Sequence, residues 1–388
     1  MAKSDSKNIW IIAGEDSGDH YGAQLAKKMH VLCPQMHIGG MGGTQMKAAG
    51  IDIYVDSTDL GIVGLVEVLK QIGTFIRLLR FLTAKAAKEK PDAVILIDYP
   101  GFNIRLAQRL HKLGIPVIYY ISPQVWAWKK KRIRILAANV TRLLCIFPFE
   151  PKVYEGSGLD VRFVGHPLLQ TLAPMRENPP KRDPKLILLL PGSRTSELQN
   201  LLPAILQAAK ILHQRDPALH FEMPLSKKST FELAENILQK EHFDLATFPL
   251  SLTIGNTREC MQRAIAGIAA SGTVTVEACI LGLPLCVTYK MHWLTWRILK
   301  MLVKLKWGSI ANLVSNKCVY EEYMQKDCTP QNLAAGVQKI LPGGERREGV
   351  LNDINNTIKL LGGAIDVTAA ATSNILEVLY DTPPKFPI

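Results

Sequence analysis

Leu186-Ile187-Leu188-Leu189-Leu190-Pro191-Gly192-Ser193-Arg194-Thr195-Ser196-Glu197 is the stretch on which the fold turns. An unbroken apolar run suits a parallel strand covered on both faces. The small-residue turn that ends it leads into Leu198, Leu201, Leu202, Ile205, Ala209 and Leu212, which recur at helical spacing. The predicted unit is strand, tight turn, helix. Amides and the dipole at such a helix start attract anions, and the guanidinium of Arg194 is a permanent fork suited to phosphate oxygens. Ser193, Arg194 and Glu197 are therefore candidate nucleotide-binding residues. An ordinary strand-turn-helix with a surface arginine would read the same way.

A second stretch, Gly267-Ile268-Ala269-Ala270-Ser271-Gly272-Thr273-Val274-Thr275-Val276-Glu277, repeats the pattern. Ser271, Gly272 and Thr273 can offer amides and hydroxyls to a diphosphate, and Glu277 can accept hydrogen bonds from ribose hydroxyls or serve as a solvated helix charge. Two such turns in one domain point to a nucleotide at the carboxyl ends of parallel strands.

The chain has 388 residues and a formal charge of +12. That length predicts two domains, and the charge suits phosphorylated substrates or an anionic membrane surface. Motifs that read nucleic acid are absent, so no nucleic-acid partner is expected. Seven scattered cysteines without a Cys-x-x-Cys pair favour a reducing cytoplasm over a disulfide scaffold. Nor is there a carboxylate or histidine cluster with the spacing of a metal site, and neither metal nor cofactor is expected. Strand-like runs at 9–13, 93–97, 116–121, 143–147 and 161–164 alternate with helical patterns, and the alternation resumes at 186–190, 219–223, 267–270 and 284–288. The proline-rich segment 170–185 reads as a linker. The predicted organisation is an α/β chain with a first domain over 1–169, a second over 186–350, and a helical segment over 351–388 that returns to the first.

In the first half, Ala13-Gly14-Glu15-Asp16-Ser17-Gly18-Asp19 follows a strand, but its acidic residues would repel a pyrophosphate. Helix capping by Asp16, Ser17 or Asp19 is expected there. At the next strand end, Leu96-Ile97-Asp98-Tyr99-Pro100-Gly101-Phe102-Asn103, a carboxylate interrupts an apolar run. Shielded by Tyr99 and Phe102, Asp98 can have a raised pKa and take a proton from an alcohol, with Glu15 as the alternative base.

These stretches, with Gly64-Leu65-Val66-Glu67-Val68-Leu69 and Ser122-Pro123-Gln124-Val125-Trp126-Ala127-Trp128, resemble the N-terminal motifs of the lipid-A-disaccharide synthase family. Gly165-His166-Pro167, the two turns of the second half, and Asn312 followed by Glu322 and Gln325 stand in that family's order. The resemblance implies a GT-B glycosyltransferase, two Rossmann-like parallel-sheet domains facing an interdomain cleft. Its implied reaction joins UDP-2,3-diacylglucosamine to 2,3-diacylglucosamine 1-phosphate (lipid X), giving UDP and a β-1′,6-linked disaccharide. By the same resemblance His166 joins the UDP-binding candidates. Ser17, Asp19, Asn103, Gln124, Trp126, Asn312, Glu322 and Gln325 become acceptor or cleft candidates. Lys317 stands where arginine is usual, and a lysine cannot make the two parallel bonds of a guanidinium to phosphate.

Acylated substrates imply a membrane surface. Residues 291–307 hold Trp293, Trp296 and Trp307 among leucines, with Arg297, Lys300, Lys304 and Lys306 interleaved. Such a segment suits an interfacial helix, each basic residue adding about 1 kcal/mol near anionic lipid. Residues 62–82 are a second candidate, and either segment can instead be a core helix. Lys129-Lys130-Lys131-Arg132 can meet the acceptor's phosphate or anionic headgroups. The expected location is cytoplasmic, at the inner-membrane surface, with a homodimer left open.

Overall fold

The computed structural model describes residues 6–57, 65–128, 131–292, 296–297 and 306–380. The chain forms two compact units. The first comprises residues 1–170 and 364–388, the second residues 171–363.

In the first unit the strands are β1 (Asn8–Ala13), β2 (His37–Gly42), β3 (Asp52–Asp56), β4 (Ala93–Ile97), β5 (Val117–Tyr120), β6 (Arg142–Cys145) and β7 (Asp160–Phe163). They form one parallel sheet in the order β3-β2-β1-β4-β5-β6-β7. β4 is buried along its whole length, and β1 everywhere but its first residue, because helices cover both faces. Half of β2 is glycine, and at Gly40, φ +154, a Cβ would collide with the Ile11 carbonyl of β1. That close approach explains a strand which apolar patterning alone does not predict.

The second unit has β8 (Leu186–Leu190), β9 (His220–Leu225), β10 (Leu250–Ile254), β11 (Ala266–Ala270), β12 (Leu285–Tyr289) and β13 (Glu321–Met324), parallel in the order β10-β9-β8-β11-β12-β13. The helix Thr195–Arg215 follows β8 and buries Leu198, Leu201, Leu202, Ile205, Ala209 and Leu212, the face its spacing predicts.

The boundaries differ from the expected ones. The chain enters the second unit at Thr171 and leaves it at Gly363. Segment 170–185 is built into structure, with short helices at Leu168–Thr171 and Ala173–Glu177. Arg182 donates to the carbonyls of Met261 (2.7 Å), Ala264 (2.6 Å) and Leu281 (2.6 Å), at the ends of two helices. There a cation meets otherwise unpaired carbonyls and the negative ends of helix dipoles. The helix Arg347–Leu360 buries Val350 and Ile354 within the second unit, and only Val367–Leu379 packs on the first.

Candidate active site

In open parallel sheets ligands gather outside the strand carboxyl ends where the strand order reverses. That reversal lies between β1 and β4 in the first unit and between β8 and β11 in the second. Each is a place the sequence motifs mark. Ala13 pairs with Ile97, so Glu15 and Asp98 emerge side by side, and Leu190 pairs with Ala269, which juxtaposes the Gly192 and Gly272 turns.

Asp98 and Tyr99 both adopt left-handed backbone, φ +45 and +44, a conformation that costs ordinary residues energy and persists only where neighbours impose it. The neighbours are identifiable. The Asp98 amide donates to Tyr120 O (2.9 Å), and the Asp98 carbonyl accepts from the Tyr119 hydroxyl (2.6 Å) and from Asn103 Nδ2 (2.9 Å). Asn103 Nδ2 also reaches Ile97 O at 3.1 Å. Asn103 is wholly buried, so it shapes the turn from beneath; the expectation that it meets an acceptor is corrected. Gly14 is required because the Tyr99 ring occupies the space a Cβ would need. Burial, and then the Glu15 charge, push the Asp98 carboxyl up to about 6, against a smaller opposing effect of the Tyr99 amide. Glu15 is itself raised, by desolvation and by Asp16. Two carboxylates that repel each other beside a strand end raise each other's pKa, the electrostatic arrangement found where proton transfer is needed.

Asp19 has a different task from the expected one. Its buried carboxylate accepts from the amides of Gly43 (2.6 Å), Gln45 (3.0 Å) and Met46 (3.1 Å), anchoring the start of the helix Thr44–Ala48. A carboxylate with three amide donors is a structural tie. Ser17 and Gln124 remain exposed. Trp126 is half-buried and donates its indole N–H to Glu150 Oε1 (3.2 Å). His166 lies in the first unit, where burial lowers its pKa to about 3 and its Nδ1 accepts from the Leu168 amide (3.3 Å). Neutral and internally bonded, it brings no charge to a nucleotide.

The turn after β8 is partly self-satisfied. Glu197 Oε2 accepts from the amides of Ser193 (3.0 Å) and Arg194 (3.3 Å), and Gly192, φ +107, leaves room for that carboxylate. Those two amides, expected on a phosphate, are occupied by an internal anion. Arg194 gives one bond to Glu197 Oε1 (3.0 Å), yet its side chain is 75% exposed, so the guanidinium still faces outward. After β11 the Ser271 amide donates to Thr288 O (2.9 Å) and its hydroxyl to Gly308 O (2.7 Å), which commits both donors. Around Gly272 a Cβ would meet nothing within 4 Å, and Thr273 is exposed. Glu277 Oε1 receives both Arg258 Nε (3.0 Å) and Nη2 (2.6 Å).

Asn312 and Glu322 are also structural. Glu322 accepts from the amides of Gly308 and Ser309 (2.8 Å each) and from Asn312 Nδ2 (2.8 Å). Asn312 in turn bridges both backbone groups of Tyr320, at 2.7 and 2.9 Å. The pair shapes the loop whose Gly308 carbonyl holds Ser271. The Gln325 amide lies 3.1 Å from both backbone polar groups of Met291. Lys317 pairs with Asp353 at 2.6 Å, which commits its charge to a neighbouring helix.

Of the membrane candidates, Trp293 and most of 291–307 lie outside the described residues, as do 62–64 and Lys129-Lys130. Trp296 is half-buried, Arg297 exposed, and Trp307 half-buried with Lys306 Nζ 5.0 Å from its ring centre. The helix Leu65–Glu89 buries Leu79, Leu82 and Ala86 and exposes Ile76, Arg77, Arg80 and Phe81. Among the described residues no helix is long and apolar enough to cross a membrane, and no three His, Cys, Asp or Glu side chains group to hold a metal.

The residues missed in the sequence are the internal partners: Glu150, Tyr119 and Arg258. Each is remote in sequence from the group it holds, and no local pattern marks it.

The model of the family Lipid-A-disaccharide synthetase matches residues 9–372. A lipid-A-disaccharide synthase of Syntrophus aciditrophicus is 36% identical over 383 residues, covering 96% of this chain and 99% of the relative. One from Anaeromyxobacter dehalogenans is 36% identical over 367 residues, covering 91% and 93%. Among solved structures, a putative UDP-N-acetylglucosamine 2-epimerase from Listeria monocytogenes superposes with a TM-score of 0.68 at 13% identity, covering 99% of both chains. Acinetobacter baumannii MurG gives 0.56 at 14% identity, covering 96% and 99%. At those identities the likeness is one of fold, the GT-B fold.

Proposed function

The chain belongs to the lipid-A-disaccharide synthetase family, and from that premise we propose how its residues divide the reaction. The enzyme transfers 2,3-diacylglucosamine from UDP-2,3-diacylglucosamine to the 6-hydroxyl of 2,3-diacylglucosamine 1-phosphate, releasing UDP. Asp98 takes the proton of that hydroxyl as the oxygen attacks the donor's anomeric carbon. The bond from that carbon to the diphosphate oxygen breaks, its electron pair leaves with UDP, and the configuration inverts. In the second unit the outward-facing guanidinium of Arg194 and the open turn at Gly272 and Thr273 meet the charge that grows on the departing diphosphate. Glu277, oriented by Arg258, faces the ribose.

The observation that carries this division is the placement of both motif pairs at the two strand-order reversals, with a carboxyl near 6 in one and an exposed arginine in the other. The outer face of the helix Leu65–Glu89, where Ile76 and Phe81 stand beside Arg77 and Arg80, supports docking at the anionic cytoplasmic face of the inner membrane.

The deciding experiment follows UDP release from the donor with and without the acceptor, in EDTA, for wild type and Asp98→Ala. Acceptor-dependent release that falls by about 10²–10⁴-fold in the variant fits a lost general base. Undiminished release moves the base elsewhere, and Glu15→Gln is then compared.

A further inference from the structure

The first unit contains a buried carboxylate that this division of labour leaves unused. Glu150 is fully inaccessible to solvent at the start of the helix Glu150–Val153, just after β6. Its Oε2 accepts from the amides of Ile146 (3.2 Å) and Phe147 (3.0 Å), and its Oε1 from the indole N–H of Trp126 (3.2 Å) in the segment after β5. Desolvation holds this carboxyl up at about 7 in spite of those donors. Burying an ionisable group is costly unless its partners compensate for the lost water. Two local amides could be capped at the surface without that cost. The bonds to Trp126 and to the Ser122 hydroxyl, both in the segment after β5, are the ones that need Glu150 inside, because they tie together the ends of two neighbouring strands.

What it ties is an aromatic wall. Trp126 stands edge-on to Phe147 (6.4 Å between ring centres) and to Phe149 (5.2 Å), which stack on each other at 5.6 Å. The buried His166 ring backs Phe147 at 5.2 Å. Phe147 is buried, whereas Trp126 and Phe149 stay partly exposed. The wall therefore has a rigid back and an accessible front, the composition of a site that grips an amphipathic ligand. Behind it the Ser122 and Tyr154 hydroxyls bond at 2.8 Å, and one strand over, Tyr119 on β5 fixes the Asp98 carbonyl.

We propose that Glu150 is a positioning residue that locks Trp126 as an aromatic platform for the acceptor sugar, beside the strand end that carries Asp98. The proposal rests on the transferase reading above. It assigns the acceptor to this wall because the wall belongs to the same unit and the same sheet edge as the base that must meet the acceptor hydroxyl.

Initial rates for wild type, Trp126→Phe, Glu150→Gln and the double variant, with each substrate varied at saturation of the other, test it alongside thermal unfolding. Glutamine keeps a single acceptor oxygen, and phenylalanine keeps an apolar ring without the N–H. Each single variant should raise the acceptor KM about five- to tenfold, with kcat and donor KM within twofold of wild type. The double variant should be no worse than the weaker single, because both remove one interaction. An unchanged acceptor KM, multiplying defects, or equal losses toward both substrates overturn the proposal. If Glu150→Gln does not fold, Trp126→Phe decides by itself: a raised acceptor KM supports the platform, an unchanged one overturns it. Wild type that releases no UDP overturns the transferase reading and this inference with it, whereas active wild type with a normal Trp126→Phe acceptor KM overturns the inference alone.

Discussion

Asp98 combines a left-handed backbone with a carboxylate drawn out of water beside another carboxylate. Both features work against stability, and both suit a base. A base acts only when deprotonated, so kcat/KM should fall tenfold per unit below an acid limb near pH 6. Glu15→Gln removes a negative charge that disfavours Asp98 ionisation, so the limb should move to lower pH; a limb that stays in place shows that Asp98 does not feel Glu15. The stability linkage has the opposite sign to that of an ordinary surface aspartate. Because the folded pKa lies above the unfolded value of 3.8, the stabilising contribution is fully present below that lower value and is lost as pH rises through about 6. Asp98→Asn, which tolerates the left-handed region, should therefore melt above wild type at pH 7.5 while losing turnover. A lower melting temperature would show that the ionised carboxylate is better satisfied than its surroundings indicate. Asp98 was legible in the sequence because a charge at the end of an apolar strand is a local signal. The tasks of Asp19, Asn103 and Glu197 were not, because their partners are amides and carbonyls that only the folded backbone brings within reach.

Among the elements, the strands read correctly from sequence are, except for the edge strand β7, those with a neighbour on both sides, and burial keeps them largely apolar. Three of the four missed strands, β3, β10 and β13, are sheet edges with polar residues such as Glu321 and Glu322, and half of β2 is glycine. The helix Leu65–Glu89 shows why the choice between core helix and interfacial helix had no single answer. One face enters the core through Leu79, Leu82 and Ala86, and the other carries Ile76 and Phe81 among arginines. Replacing Ile76 and Phe81 with serine should weaken retention on vesicles containing anionic lipid by roughly tenfold or more while leaving the melting temperature within a degree or two, since neither side chain is buried. Unchanged retention would place the membrane contact elsewhere.

At the scale of the whole molecule, the chain leaves the first unit, builds the second, and comes back. The returning helix Val367–Leu379 buries Val367, Ala371, Ile375 and Leu376. Polar ties hold it as well: Gln170 Oε1 accepts from the Thr368 amide (3.0 Å) and hydroxyl (2.7 Å), and Arg142 reaches Asn374 O and Glu377, both at 2.8 Å. Each buried aliphatic side chain is worth about 1.5–3 kcal/mol, so a chain ending at Gly363 should lose much of the first unit's stability and spare the second. Hydrogen exchange should show protection lost across β1 and β4 and kept across β8 and β11. A uniform loss across both sheets would mean that the units fold as one. The sequence by itself determined the two parallel sheets and the family, and marked the strand-end loops proposed to carry the chemistry, because buried strands, helical spacing and strand-end turns are written in consecutive residues. Only the tertiary structure decided which charges remain open to a ligand. Glu197 fills the amides of its own turn, Glu322 and Asn312 shape a neighbouring loop, and Glu150 holds Trp126, since a buried charge must be satisfied by whatever donors folding sets beside it.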